Sequence, residues 1–158
     1  MVLNMSLNMR YMTSKLSVLA ILTTLAGVTF SNRALAGVIL ITPEEAKLPT
    51  PKDVFASRAI TRGPRIDFTD TDHLNSPFPL QFKFHGFGGA TIDLESLRVT
   101  YMKSPNVDLT PRVKPYVKPT GIEIAEAEVP PGEHFLRVEI QDSEGRRTAR
   151  TFLLSVSP

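Results

Sequence analysis

Apolar residues occupy every second position from Leu136 to Ile140 and again from Phe152 to Val156, with a short polar turn containing Gly145 between the two runs. A period of two marks a strand that buries one face, because successive strand side chains point to opposite sides. Two such runs joined by a tight turn predict an antiparallel hairpin. Its register has little freedom: for both apolar sets to share a face Leu136 must lie opposite Phe152, since a slip of one residue turns a whole set outward. The connecting loop is then of odd length, either Ser143–Gly145 or the five residues Asp142–Arg146. In the shorter form Gly145 takes the left-handed conformation that only glycine adopts cheaply. The same register sets Phe135 opposite Leu153 on the outer face, where the pair is either covered by further structure or forms an exposed apolar patch.

Earlier stretches repeat the pattern. Leu80, Phe82 and Phe84 alternate with Gln81, Lys83 and His85 before Gly86, Gly88 and Gly89 release the chain. Leu97, Val99 and Tyr101 form another set, preceded by Asp93–Ser96, which reads as one helical turn capped by Asp93. Ile122 and Ile124 flank Glu123, and Ile66 and Phe68 mark a short strand over Arg65–Phe68. Val38–Thr42 reads as a short apolar strand stopped by Pro43. The segment 44–63 reads as irregular chain, in which Pro49 and Pro51 withhold the donors a ladder needs. About seven short strands with glycine and proline turns predict an all-β fold, an antiparallel β-sandwich.

The first 36 residues differ in kind. Arg10 and Lys15 precede an uncharged run of 15 residues, Leu16–Phe30, and Ala34-Leu35-Ala36 precedes Gly37. That is the layout of a cleavable signal peptide, an N-terminal signal helix. The run falls short of the about 20 apolar residues that a membrane-spanning helix needs. The expectation is cleavage, no membrane span afterwards, and a protein in the periplasm or secreted. With no cysteine in the chain, a lipid anchor at the cleavage site is excluded, and a packed core rather than disulfides must hold the fold.

Residues 37–158 make one domain's length. The leader holds Arg10, Lys15 and Arg33 and no acid, so the remainder sets 15 basic residues against 16 acidic ones, a formal charge of −1. The basic isoelectric point belongs to the leader. Nucleic-acid binding, which needs a clustered positive field, loses its support.

The final segment carries Pro131-Gly132-Glu133-His134, then Leu136, Val138, Ile140, Asp142 and Gly145, then Phe152, Leu154 and Val156. In these residues the chain resembles the bacterial immunoglobulin-like domains, the broad group with fibronectin type III and cadherin-like modules. The resemblance implies an immunoglobulin-like sandwich and, since the cysteine pair and buried tryptophan of antibody domains are absent, the architecture alone. The stretch from Ile39 to Pro51 and the last hairpin are also faintly similar to the periplasmic copper carriers. Those use a histidine at the mature amino terminus and another in the last hairpin turn, where this chain has Gly37 and Arg146. His73, His85 and His134 lie on separate elements, and His134, in phase with Leu136, reads as a sheet-end histidine.

Asp70, Asp72 and His73 place three potential metal ligands on one loop, and oxygen donors at alternate positions suit calcium. The same residues are ordinary turn formers. Gly86–Gly89 lacks the Lys and Ser or Thr of a phosphate loop and reads as a flexible turn. No serine or histidine has a recognisable catalytic partner, so the expectation is a non-enzymatic protein without a resident cofactor.

In the segment 110–120, Pro111, Pro115 and Pro119 recur every four residues and bring Arg112, Lys114 and Lys118 together with Tyr116. A stiff basic loop docks an acidic protein or an anionic wall polymer at little ordering cost. Its other reading is a crossover, with Leu109, Val113 and Val117 inward and the bases solvated. Together these features point to an exported module that recognises a protein or cell-envelope polymer through its loops or through Phe135 and Leu153. The alternatives are a periplasmic metal carrier or calcium-stabilised adhesion domain, and an inhibitor of a hydrolase or protease.

Overall fold

The computed structural model describes residues 37–56, 62–69 and 73–158. The expected export signal lies outside the described residues, as do Asp70 and Asp72. In chain order the strands are β1 (Val38–Ile39), β2 (Arg65–Phe68), β3 (Phe78–His85), β4 (Ile92–Tyr101), β5 (Val107–Asp108), β6 (Val117–Lys118), β7 (Gly121–Glu128), β8 (Gly132–Asp142) and β9 (Arg147–Val156). Two four-residue helices, α1 (Pro43–Ala46) and α2 (Thr110–Val113), and a 3₁₀ turn at Lys114–Tyr116 interrupt them. The fold is all-β, in two sheets. One runs β1-β7-β3-β2, with β6 also on β7; the other runs β5-β4-β8-β9.

The last hairpin has the register its apolar pattern requires, Leu136 opposite Phe152 and Phe135 opposite Leu153. Its turn is the three-residue form. The Asp142 amide donates to the Arg146 carbonyl at 3.0 Å and the Gly145 amide to the Asp142 carbonyl at 2.9 Å. Gly145 has φ of 78°, a conformation that a β-branched side chain strongly resists.

Alternation becomes burial along the other strands too. In β3 every second residue from Phe78 to Phe84 is buried, and Leu97, Val99 and Tyr101 of β4 face the same core as Leu136, Val138 and Ile140 of β8. Aromatic rings join the two sheets: Phe82 of β3 meets Phe152 of β9 at 5.1 Å between centroids, and Phe68 of β2 stacks on Phe82 at 4.9 Å. Each fully buried Leu, Ile, Val or Phe contributes about 1.5–3 kcal/mol. Such side chains supply the cohesion that disulfides do not.

Three expectations need correction. Asp93–Ser96 is not a helical turn: β4 runs through it, and the register against β8 shifts between Asp93 and Arg98. Asp93 still accepts the Glu95 amide at 3.1 Å, while Ser96 Oγ donates to the Asp93 carbonyl and accepts the Gln141 amide at 2.8 Å. The bonding that would cap a helix here closes a bulge instead.

The strand expected over Val38–Thr42 pairs only at Val38–Ile39, and in parallel with β7. Leu40 and Ile41 leave the ladder yet are buried, with both amides directed at the Glu128 carbonyl. Irregular chain was expected from residue 44, but α1 occupies its start. Thr42 and Glu45 form a reciprocal capping box around Pro43, a pattern legible in Thr42-Pro43-Glu44-Glu45.

Candidate functional site

The crossover between β5 and β7 was the first candidate. Its apolar residues turn inward, with Leu109 and Val113 buried and Tyr116 and Val117 half-buried against the core. Arg112 does not project outward. Its Nη1 and Nη2 donate to the two Glu45 carboxylate oxygens at 2.7 Å each, and Nη1 also donates to the Leu40 carbonyl at 2.8 Å. This two-pronged bond holds the Glu45 carboxyl below its ordinary range and raises the guanidinium's pKa. Arg112 therefore fastens the chain around α1 to the body of the domain. Lys114 and Lys118 are exposed, and each pairs with a carboxylate: Lys114 with Glu95 at 2.9 Å, and Lys118 with Glu123 of the neighbouring strand. The basic segment carries little uncompensated charge.

Phe135 and Leu153 were the second candidate. They sit half-buried on the outer face of β8 and β9, opposite one another. Met102, whose amide donates to the Phe135 carbonyl at 2.9 Å, adds a third half-buried apolar residue just beyond the end of β4.

Of the metal candidates on the loop, His73 alone lies among the described residues. His73 is exposed with φ of 65°, and among the described residues no three metal-ligating side chains converge. His85 is exposed beside Asp67 at 3.4 Å. His134 is 2% exposed at the end of β8. Its Nε2 lies 2.8 Å from the Pro130 carbonyl and its Nδ1 2.8 Å from the Tyr101 hydroxyl. A carbonyl only accepts, so Nε2 carries the proton and Nδ1 accepts from the tyrosine. Burial, aided by the Lys103 charge and opposed by the Pro130 hydrogen bond, holds the imidazole below its ordinary pKa. Burial, with the Glu45 charge, pushes Tyr101 up to about 12.

Lys103 completes this cluster. It is 6% exposed, with Nζ donating at 3.0 Å to the Ala46 carbonyl and to Thr50 Oγ1, and it lies 5.3 Å from the Tyr101 ring centre. Burial lowers its pKa. A lysine is rarely buried unless its donors are used. These are used to hold the segment after α1.

The opposite end is built differently. Phe87, between Gly86 and Gly88 in the β3–β4 loop, is 51% exposed. The Arg146 guanidinium lies 5.0 Å over its ring, and Nη2 donates to the Phe87 carbonyl at 2.7 Å. Nε of the same arginine donates to Asp142 Oδ2 at 2.8 Å, and Nη1 pairs with Glu144 at 3.0 Å. Two further bonds join the loops: the Ser143 amide to the Thr91 carbonyl at 2.9 Å, and the Thr91 amide to Ser143 Oγ at 3.3 Å. Gly86–Gly89, expected to be a flexible turn, is thus tied to the β8–β9 turn. A Cβ on Gly86 would collide with the Ala90 carbonyl. Sequence reasoning passed over Phe87; the available signal was an aromatic residue placed among glycines.

No protein-family model, no curated protein and no solved structure matches the chain. Among the described residues no helix is long and apolar enough to cross a membrane.

Proposed function

We propose that the chain is an exported, non-catalytic binding module with an immunoglobulin-like sandwich, which recognises a protein or cell-envelope polymer through the end bearing the β3–β4 and β8–β9 loops. Export rests on the leader, with its uncharged run and small-residue boundary at Ala34–Ala36. The immunoglobulin-like arrangement is supported by the pairings. β2 with β3 and β3 with β7 correspond to strands A, B and E of one sheet, and β4 with β8 and β8 with β9 to strands C, F and G of the other.

The observation that carries the binding end is the mounting of Phe87. An exposed ring on a loop would ordinarily lose conformational freedom on binding, whereas here Arg146 and the Thr91–Ser143 bonds hold its surroundings beforehand. The test is a photo-crosslinking residue at position 87, 114 or 135 of the protein in the intact envelope. Capture at 87 alone supports the reading. Capture at 135 with none at 87 would move recognition to the outer face, where Met102, Phe135 and Leu153 favour a protein partner, and capture at 114 would return it to the crossover. Metal analysis of the purified protein decides the carrier and adhesion alternative, which stoichiometric copper or calcium would favour.

A further inference from the structure

We infer that the cavity beside Phe87 is a glycan subsite that takes a pyranose ring. This inference rests on the reading of the loop end as the binding end and names its ligand class.

The cavity has a volume of about 270 Å³ and is lined by Gly63, Arg65, His85, Gly86 and Phe87. That is smaller than the roughly 300–1,000 Å³ sites that enclose drug-sized ligands, and suits a ring laid against a surface. Phe87 is the aromatic residue of this lining. Arg65 and His85 also line the cavity, and Asp67, outside the lining, places Oδ2 2.9 Å from Arg65 Nε and 3.4 Å from His85 Nε2; all three side chains are at least 40% exposed. A pyranose has an apolar face of C–H groups and a rim of hydroxyls that both donate and accept. An aromatic residue beside a guanidinium and an imidazole, with a carboxylate next to both, matches both features.

Competing ligand chemistries fit less well. A phosphate-rich ligand calls for cations free of carboxylates, yet Arg65 is paired with Asp67, and Arg146 with Asp142 and Glu144. Arg146 uses all three guanidinium nitrogens on protein partners, so it positions the ring and leaves ligand contact to Arg65 and His85. The Phe87 side chain is half exposed, and a Cβ at the following Gly88 or Gly89 would meet no atom of the described residues within 4 Å. A lone exposed aromatic residue needs no explanation by itself. Phe55 is 72% exposed; what sets Phe87 apart is its arginine mount and the Arg65 and His85 side chains that line the same cavity.

The test is a nuclear magnetic resonance titration of the purified protein with three probes: an N-acetylglucosamine tetramer, a glucose tetramer, and the N-acetylglucosamine–N-acetylmuramic acid disaccharide. At least one should bind at millimolar concentration and shift the signals of Phe87, Gly86 and Arg65. Phe87→Ala should weaken that binding about tenfold or more, with Phe87→Tyr retaining it, since ring stacking is worth of the order of one decade in affinity. Phe55→Ala should bind as the parent does. Should Phe87→Ala disturb the loop, Arg65→Ala tests the polar lining, and binding should again weaken. Absence of binding by all three probes, or binding that survives Phe87→Ala unchanged, overturns the inference. Crosslinking to a protein at position 87 without any glycan binding would keep the binding end and reject the ligand class.

Discussion

The two ends of this domain use arginine for opposite purposes. At the crossover end Arg112 reaches inward to Glu45 and the Leu40 carbonyl, tying an irregular segment to the core. At the hairpin end Arg146 is equally committed, to Asp142, Glu144 and the Phe87 carbonyl, yet it holds up a ring that remains half in solvent. The crossover end also buries Lys103 and His134 with their polar atoms bonded, and no buried side-chain nitrogen or oxygen among the described residues lacks a partner. Counting bases in the sequence would have ranked the crossover first as a binding surface. Following where each base goes assigns Arg112 to stability and leaves Lys114 and Lys118 in exposed ion pairs, whereas the end with the glycines carries a ring held by its neighbours.

That comparison can be broken by mutation. The largest effect belongs to Arg112→Ala, which removes both arginine bonds to the Glu45 carboxylate, leaving it the Thr42 amide, and removes the guanidinium donor to the Leu40 carbonyl. It should cost about 1–3 kcal/mol in denaturant unfolding, while crosslinking through position 87 persists in the folded fraction. Lost crosslinking with unchanged stability would reverse the roles of the two ends. Tyr101→Phe removes the donor to His134 Nδ1 and leaves a buried acceptor unsatisfied, an expected loss of about 1–3 kcal/mol.

The His134 environment also gives the crossover end a pH signature. Its ordinary pKa is 6.5, and burial holds the folded group below that value. Just below pH 6.5 the unfolded chain therefore binds more protons than the folded one, and stability should fall as pH drops through that window, by at most about 1.4 kcal/mol per pH unit. Unfolding curves at a series of pH values should show the decline in the parent and lose it in His134→Asn. A decline of the same size in both would assign it to other groups.

At the hairpin end, Gly145→Val forces a branched residue into the left-handed region and should cost about 1 kcal/mol or more. Phe87→Ala should change stability by less than about 0.5 kcal/mol, as expected for an exposed side chain outside the core. A large loss of thermal stability in Phe87→Ala would make the ring structural and erase the contrast between the ends.

Most of the fold was legible because a period of two leaves few alternatives. Leu80, Phe82 and Phe84 bury one face of their strand, and the facing sets at Leu136 and Phe152 exclude every register that slips by an odd number of residues. Local chemistry was less informative where one residue serves two geometries. Asp93 bonds a nearby amide in a helical cap and in a bulge alike, so its presence did not select between them. Partners distant in sequence were invisible altogether. Glu45 lies 67 positions before Arg112, and Lys103 reaches back 57 positions to Ala46, so neither pairing leaves a local trace. The Phe87 mount is hidden for the same reason, since Arg146 and Phe87 meet only after both loops fold.

Native-state hydrogen exchange tests the role of the crossover end most directly. The Leu40 amide bonds the Glu128 carbonyl at 3.0 Å and the Ser104 amide bonds the Pro49 carbonyl at 2.9 Å, both in chain outside the regular strands. If Arg112 and Lys103 fasten this chain to the core, the two amides should exchange as slowly as those of β8, and the Leu40 amide should speed up in Arg112→Ala while β8 amides remain slower. Rapid exchange at Leu40 and Ser104 in the parent protein would contradict the account.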